Sequence, residues 1–398
     1  MLPRVKIYFE NGALGRVLAS SDGVMGALCT GVAVSTTFAL GTAYAIRKFA
    51  DLETELGITA ENNANIVKLV SEFYSEAPDG TKLWLMGFAN TVTLAQMVDK
   101  DLTNGKNLLL AAQGEIKGLL VSRTPAAQYS PTITAGLDAD VAAALTKAQA
   151  LAEYAAETLF APIFVVLEGR SFSGTPADLT DMTDGSDNRV SILIGDTADD
   201  SGDAAVGLLG GRIAAIPVSR KISRVRDGAL SCDAAYIKDK KAELADVESI
   251  HDKGYITFRT FVGRSGYFFS DDPTCTLPTD DYNSLTARRT VDKAYRIAYN
   301  TLLNDLSDEV PVNGDGTIAV TKAKTFETNV ENAIINSMTA SGELGNDPGN
   351  PADTGVVAFI DHSQNLVSTG RLVMTLRVKP YGYPKYIDVN LGFQTISG

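Results

Sequence analysis

Two hydrophobic periods alternate through the first two thirds of the chain. Residues 4–10 alternate with period two, placing Val5, Ile7 and Phe9 on one face of a strand, and Asn11-Gly12 follows as a turn. From Thr59, a residue suited to a helix cap, Ile66, Leu69, Val70 and Phe73 fall on one stripe of a helix that runs to about Ser75, with Asp79-Gly80 ending the segment. The run 82–88 (KLWLMGF) has strand length, 91–100 predicts a short helix, and 116–122 (IKGLLVS) predicts another strand. An alanine-rich stretch from about Ala139 to Leu159 predicts a long helix, because alanine loses little side-chain entropy on ordering. The runs 162–169 (PIFVVLEG) and 189–195 (RVSILIG) are apolar on both faces, as strands of a covered parallel sheet are. Asp203 is placed to cap a helix from Ala204 to about Ile213. Residues 59–216 therefore predict an α/β layer domain.

Beyond residue 217 the pattern changes. Asp239–Ser249 predicts a short charged helix, and the aromatic stretches YITFRTFV and GYFF predict strands. Residues 282–307 predict a strong helix with Val291, Ala294, Tyr295, Ala298 and Leu302 on its apolar side, and 321–338 a second. Residues 341–355, rich in Gly, Asn, Asp and Pro, form a loop. Three strands are predicted at 356–362, 370–380 and 385–393. The expected organisation is an arm with a strand (1–25), an α/β middle domain (26–250) and a C-terminal α+β domain (251–398), with no solenoid repeat.

Composition narrows the function classes. At 398 residues and 45% hydrophobic content the chain can bury a large core. Its formal net charge of -13 argues against a general nucleic-acid binder. Cys29, Cys232 and Cys275 are far apart and form no C-x-x-C pair, so no disulfide framework is expected. The opening residues do not read as a signal peptide. The stretch 23–46 is long and apolar enough to raise a membrane-span question, but its glycines, serines and threonines favour buried chain with bends, and no membrane partner is expected.

Chemistry is scarce. There is no phosphate loop of either common spacing, and the glycines of GLLGGR fall inside a predicted helix, where they permit close backbone packing. GRSFSG (169–174) follows a strand but lacks the G-x-S-x-G spacing, and the two histidines, His251 and His362, read as surface or loop residues. Asp178, Asp181, Asp184, Asp187, Asp196, Asp199, Asp200 and Asp203 lack the EF-hand pattern and read as a solvated acidic loop. Glu168 and Arg170 end a strand, where α/β enzymes carry catalytic groups, but a salt bridge or an interface contact fits equally. No catalytic site, cofactor or metal is expected. An α/β enzyme of unknown substrate stays open as an alternative.

Three stretches in fixed order carry a resemblance: 162–174, 207–230, and the series 253–276, 282–303 and 370–393. Gly254, Arg259 and Thr260 sit in a G-x-x-x-x-R-T strand, and Arg288, Arg289 and Asp292 lie in the helix that follows. The chain resembles the contractile tail sheath proteins of bacteriophages, prophages and related injection systems. The resemblance implies a sheath-type fold with a middle α/β domain outward and the C-terminal domain toward an inner tube. It implies six-fold rings stacked helically, with tail tube, baseplate and tail terminator proteins as partners. It implies residence in a virion tail assembled in the bacterial cytoplasm. Terminal strands would be exchanged between subunits, here through Val5, Ile7 and Phe9 and through Tyr386, Ile387, Val389 and Leu391. Arg212, Arg220, Lys221, Arg224 and Arg226 would meet acidic surfaces of adjacent subunits, although a salt-bridge network within the chain remains open. Another tail protein, such as a tube subunit, is the nearest competitor, against which the length of the chain weighs.

Overall fold

The computed structural model describes residues 21–347 and 349–392. The expected arm strand with Val5, Ile7 and Phe9 lies outside the described residues. A six-stranded sheet organises the first part: β1 (Met25–Thr30), β2 (Tyr44–Ile46), β3 (Leu83–Phe88), β4 (Gly118–Val121), β5 (Phe164–Glu168) and β6 (Val190–Leu193). Its order is β2-β3-β1-β4-β5-β6, parallel except for the antiparallel edge strand β2. The apolar stretch that raised the membrane question supplies β1, which is buried along its whole length at the sheet centre. Among the described residues no helix is long and apolar enough to cross a membrane.

Helices cover the sheet: α1 (Ala60–Glu76), α2 (Leu94–Met97), α3 (Asn104–Ala112), α4 (Ala139–Glu157) and α5 (Val206–Ala215). Ile66, Leu69, Val70 and Phe73 are all buried, and the Thr59 amide is held by the Asn62 side chain at 2.9 Å. The glycines of GLLGGR lie in α5. A Cβ on Gly207 would collide with the Leu69 carbonyl, and one on Gly211 would sit 2.9 Å from the Glu76 Cβ, so the glycines allow α5 to press against α1. This helix starts at Val206 with Ala205 at its cap, so Asp203 does not cap it; Asp203 is engaged by Arg170 instead.

The expected charged helix at 239–249 is replaced by a 3-10 turn (Ala242–Leu244) and α6 (Val247–Asp252), whose first turn is capped by Asp246. The aromatic stretches form an antiparallel hairpin, β7 (Phe258–Phe261) with β8 (Arg264–Phe269). The long helix α7 spans Leu285–Leu302. Its buried face differs from the apolar side expected. Ala294 and Ala298 are buried, but Tyr295 is exposed, and the rest of the face is Thr286, Arg288, Arg289, Thr290 and Asp292. The physical reason is what the face meets: backbone carbonyls and other charged groups, described below.

The chain divides into compact units after Tyr299, not at the expected 250/251 boundary. Tyr255, Ile256, Phe258, Phe269 and Leu285 belong to the same core as the sheet, which ties 251–299 to the first unit. The second unit contains α8 (Val320–Ile334), extended by a π-helical turn, and the antiparallel pair β9 (Val356–Ile360) and β10 (Met374–Val378). Ile318, Ala323, Phe326 and Ile360 form its core. The strand expected at 385–393 is absent from 385–392, and Phe393 lies outside the described residues.

Candidate functional site: an internal charge network and an exposed terminal segment

The basic run is largely anchored within its own chain. Arg212 is buried, with its guanidinium 2.9 Å from the Glu76 carboxylate and donating to the Ala229 carbonyl at 2.9 Å. Lys221 is buried between Asp271, at 2.7 Å, and Asp272. Arg224 and Arg220 both reach Asp227, at 2.7 and 3.5 Å. Arg226 alone of the five is exposed without an acidic partner among the described residues. The expectation that all five meet neighbouring subunits is therefore corrected for Arg212 and Lys221, because burial removes them from any surface. Burial works against the charge of Lys221, but Asp272 and Asp271 outweigh it and hold the ammonium well above its ordinary pKa. Asp272 is driven upward by its own burial while Lys221 and the Thr286 hydroxyl oppose the shift.

The sheath-like helix positions serve the same network. Arg289 donates to the carbonyls of Ile213 and Ile216 at 3.0 and 2.9 Å, fixing the C-terminal end of α5, where unpaired carbonyls accumulate. Arg288 and Asp292 pair one turn apart at 2.8 Å, and Arg189 reaches Asp292 at 3.2 Å. Arg259 and Thr260 differ in kind: both are exposed on β7, and the Arg259 guanidinium lies over the Phe261 ring at 4.1 Å.

Glu168 and Arg170 also lie inside. Glu168 accepts from the Arg123 amide at 2.6 Å and the Ser122 hydroxyl at 3.0 Å. Arg170 donates to Asp203 at 2.8 Å. Burial pushes the Glu168 carboxyl up to about 8, aided by Asp203 and opposed by Arg170. The acidic run is only partly a solvated loop, since Asp196 is buried and paired with Lys68. Among the described residues no group of three candidate ligands could hold a metal.

A cavity of about 520 Å³ opens beyond the C-terminal ends of β5 and β6, where α/β enzymes bind ligands. Ser171, Ser173 and Ser201 line it together with Asp196, Asp203 and Lys238, but neither histidine does. The Ser201 hydroxyl donates to Asp196, which is already paired with Lys68. Cys29 is likewise inert: burial pushes its thiol up to about 12.

In the second unit the C-terminal segment lies largely exposed. Tyr386, Ile387, Val389 and Leu391 are 82%, 77%, 79% and 96% exposed, and no strand is formed over 381–392. Ile387, Val389 and Leu391 alternate with Asp388 and Asn390, the pattern of a strand with one apolar face. Sequence reasoning identified these residues; their lack of a sheet is what the structure adds. It left internal salt bridges open for Glu168, Arg170 and the basic run, but missed the burial of Arg288, Arg289 and Asp292. The i,i+4 spacing of Arg288 and Asp292 was the one local signal for them.

Solved structures of the same fold are sheath proteins. The anti-feeding prophage helical sheath in its contracted state matches with a TM-score of 0.65 at 13% identity, over 99% of each chain. The sheath complex of the extracellular contractile injection system PVC, also contracted, matches at 0.62 and 14%, over 99% of this chain and 98% of that one. The sheath tail protein of Desulfitobacterium hafniense matches at 0.51 and 11%, over 94% and 100%. Comparison with the curated proteins gives no match. Sequence profiles of the DUF2586 N-terminal and C-terminal domains match residues 2–273 and 281–396. The chain belongs to the DUF2586 family and has the fold of contractile sheath proteins.

Proposed function

We propose that this chain is the sheath subunit of a contractile tail or injection machine, forming six-fold rings stacked around an inner tube and driving that tube through a target envelope as they contract. Its partners are further copies of itself, the tube, and the baseplate and terminator proteins that bound the sheath. It acts in the tail particle after assembly in the bacterial cytoplasm, and it needs no cofactor and performs no catalysis. The observation that carries this reading is the exposed, alternating segment 385–391, which has strand chemistry and no sheet of its own among the described residues. Joined to a neighbour's sheet, Ile387, Val389 and Leu391 would each gain roughly 1.5–3 kcal/mol from burial. Val5, Ile7 and Phe9 would act likewise at the other arm. Backbone pairing of this kind keeps subunits linked while their bodies rotate.

The first unit suits a body that rotates without deforming. Its buried cations Arg212, Lys221, Arg288 and Arg289 are tied to its own carboxylates and carbonyls, so few internal contacts need to change. Arg226 remains for a neighbour's acidic surface, with Arg220 and Arg224 beside it. Electron microscopy of the full chain against a chain ending at Pro384 tests the reading. The full chain, with its tube protein if required, should form striated tubes, and the shortened chain should stay dispersed. Equal tube formation by both would refute a linking role for the segment.

A further inference from the structure

Four neighbouring strands of the large sheet begin or end in one row. The register pairs Ile46 with Leu83, Leu83 with Met25, and Met25 with Gly118. The parallel strands β1, β3 and β4 start at this row, and the antiparallel β2 ends at it. The next residues outward are therefore Arg47, Lys82, Val24 and Lys117, and the Lys117 amide still donates to the Val24 carbonyl at 2.9 Å. With adjacent strands about 4.8 Å apart, the topology sets three cations along a margin of about 15 Å. This margin is the one opposite the cavity beyond β5 and β6.

All four residues line one cavity of about 400 Å³, which Ser21, Gly80 and residues 113–115 complete. Gln113 and Gly114 take positive φ, 47° and 82°, and their turn presents the Gly114 carbonyl to the Lys117 ammonium at 2.8 Å. Glu115 is the one carboxylate in the lining. The Lys82 ammonium holds it at 2.6 Å and the Trp84 indole N–H at 3.1 Å, and the Lys82 bond keeps its carboxyl below the ordinary range. Among the described residues neither Arg47 nor Lys117 has a carboxylate within ion-pair distance. Burial, with Arg296 adding to it, outweighs Asp22 and Glu115 and brings the Lys117 ammonium down to about 8, so it stays charged at pH 7. The chain carries 48 acids against 35 bases, and two unbalanced cations around a cavity run against that composition. Residues 1–20, which adjoin Ser21 in sequence, carry Arg4, Lys6 and Arg16 against Glu10 alone and do not supply the missing charge.

We propose that the cavity lined by Arg47, Lys82 and Lys117 binds a small, multiply charged oxyanion of the phosphate class. Lys117 supplies a point charge whose position is fixed by Gly114, with further donors left for a ligand. Arg47 supplies a planar fork of donors suited to paired phosphate oxygens. Lys82 stands between them and is shared between Glu115 and the anion. The volume lies within the roughly 300–1,000 Å³ of small-molecule sites. Partial burial of Lys82 and Lys117 strengthens the attraction over that at an open surface. The anion is a counter-ion rather than a substrate, since ligands that α/β enzymes transform sit at the other margin of the sheet. Because the row exists only when the four strands are paired, the anion binds the folded chain and stabilises it. The site is independent of ring assembly and of segment 385–391.

Trp84 reports on the site, because its indole bonds Glu115 and the Lys82 ammonium lies over its ring at 5.7 Å. The full chain at pH 7 is titrated with inorganic pyrophosphate and, separately, with sodium chloride at matched ionic strength. Pyrophosphate should give a saturable change in Trp84 emission and a rise in Tm, and chloride neither. Lys117→Met and Arg47→Gln should each weaken binding about tenfold or more. Arg47 is exposed, so its variant keeps the fold even if Lys117→Met does not. Glu115→Gln should tighten binding by freeing Lys82, read from the rise in Tm because this change also touches Trp84. Arg226→Gln, outside the cavity, should leave the affinity unchanged. Equal responses to chloride and pyrophosphate would reduce the effect to ionic screening and overturn the site. An affinity unaltered in Arg47→Gln, or lowered by Glu115→Gln, would overturn it as well.

Discussion

Lys221 decides whether the basic run acts inside the subunit or between subunits. The perturbation is Lys221→Met, which keeps the length of the side chain and removes its charge. In the structure its ammonium is 2.7 Å from Asp271 and in contact with Asp272, which is fully buried. Removing one partner of a buried pair leaves an uncompensated charge and costs about 3–5 kcal/mol. Asp272 keeps the Thr286 amide at 2.9 Å and the Thr286 hydroxyl, which lowers the penalty toward about 3 kcal/mol. The assay is urea unfolding of the isolated subunit at pH 7, followed by the fluorescence of Trp84. This is the single tryptophan, and it lies on β3 in the same unit as Lys221. Arg226→Glu serves as the surface control and should stay within about 0.5 kcal/mol. A loss below about 1 kcal/mol for Lys221→Met, together with impaired tube assembly, would refute the internal reading and return the run to the subunit interface.

Other consequences follow from the same contacts. Gly207→Ala forces a Cβ into the Leu69 carbonyl, and overpacking of this kind should cost roughly 1–3 kcal/mol in the same unfolding assay. Glu168, held near 8, and Glu72, pushed up to about 7 by burial against the pull of Lys68, bind protons in the folded state that the unfolded chain has released. Their contribution is thus full below about pH 4.5 and declines as pH rises through 7 and 8. At about 1.4 kcal/mol per pKa unit, stability should fall by a few kcal/mol between pH 5 and 9, and Glu168→Gln should flatten that slope. A steeper slope in the variant would contradict the assignment. Reversing the charges of Arg224 and Arg226 together should reduce tube yield with little change in subunit stability; normal yield would remove them from the interface.

Four of the sheet's six strands were legible in the sequence because they are buried on both faces, which leaves continuous apolar runs at 82–88, 116–122, 162–169 and 189–195, whereas β1 and β2 lie in the stretch 23–46 that read only as buried chain with bends. Helix α3 drew no expectation, and in the structure Gly105 lets the helix approach the Met97 carbonyl and Leu28. The charged interior was hidden for a more general reason. A helix such as α7, which buries Arg288, Arg289 and Asp292, looks solvent-facing by period alone, and only the tertiary partners at Ile213, Ile216 and Arg189 reveal otherwise. For the same reason the boundary expected at 250/251 followed a change in texture, while the true continuity ran through Ile256 and Phe258 into the sheet core. Segment 385–391 is the reverse case: its alternation is plain, but it forms no strand among the described residues.

The most direct test is a helical reconstruction of the assembled protein at a resolution that traces the backbone. The account predicts six-fold rings in which residues 385–391 leave their own subunit and pair with a neighbour. A reconstruction in which that segment packs on its own subunit, or an assembly without six-fold rings, would contradict it.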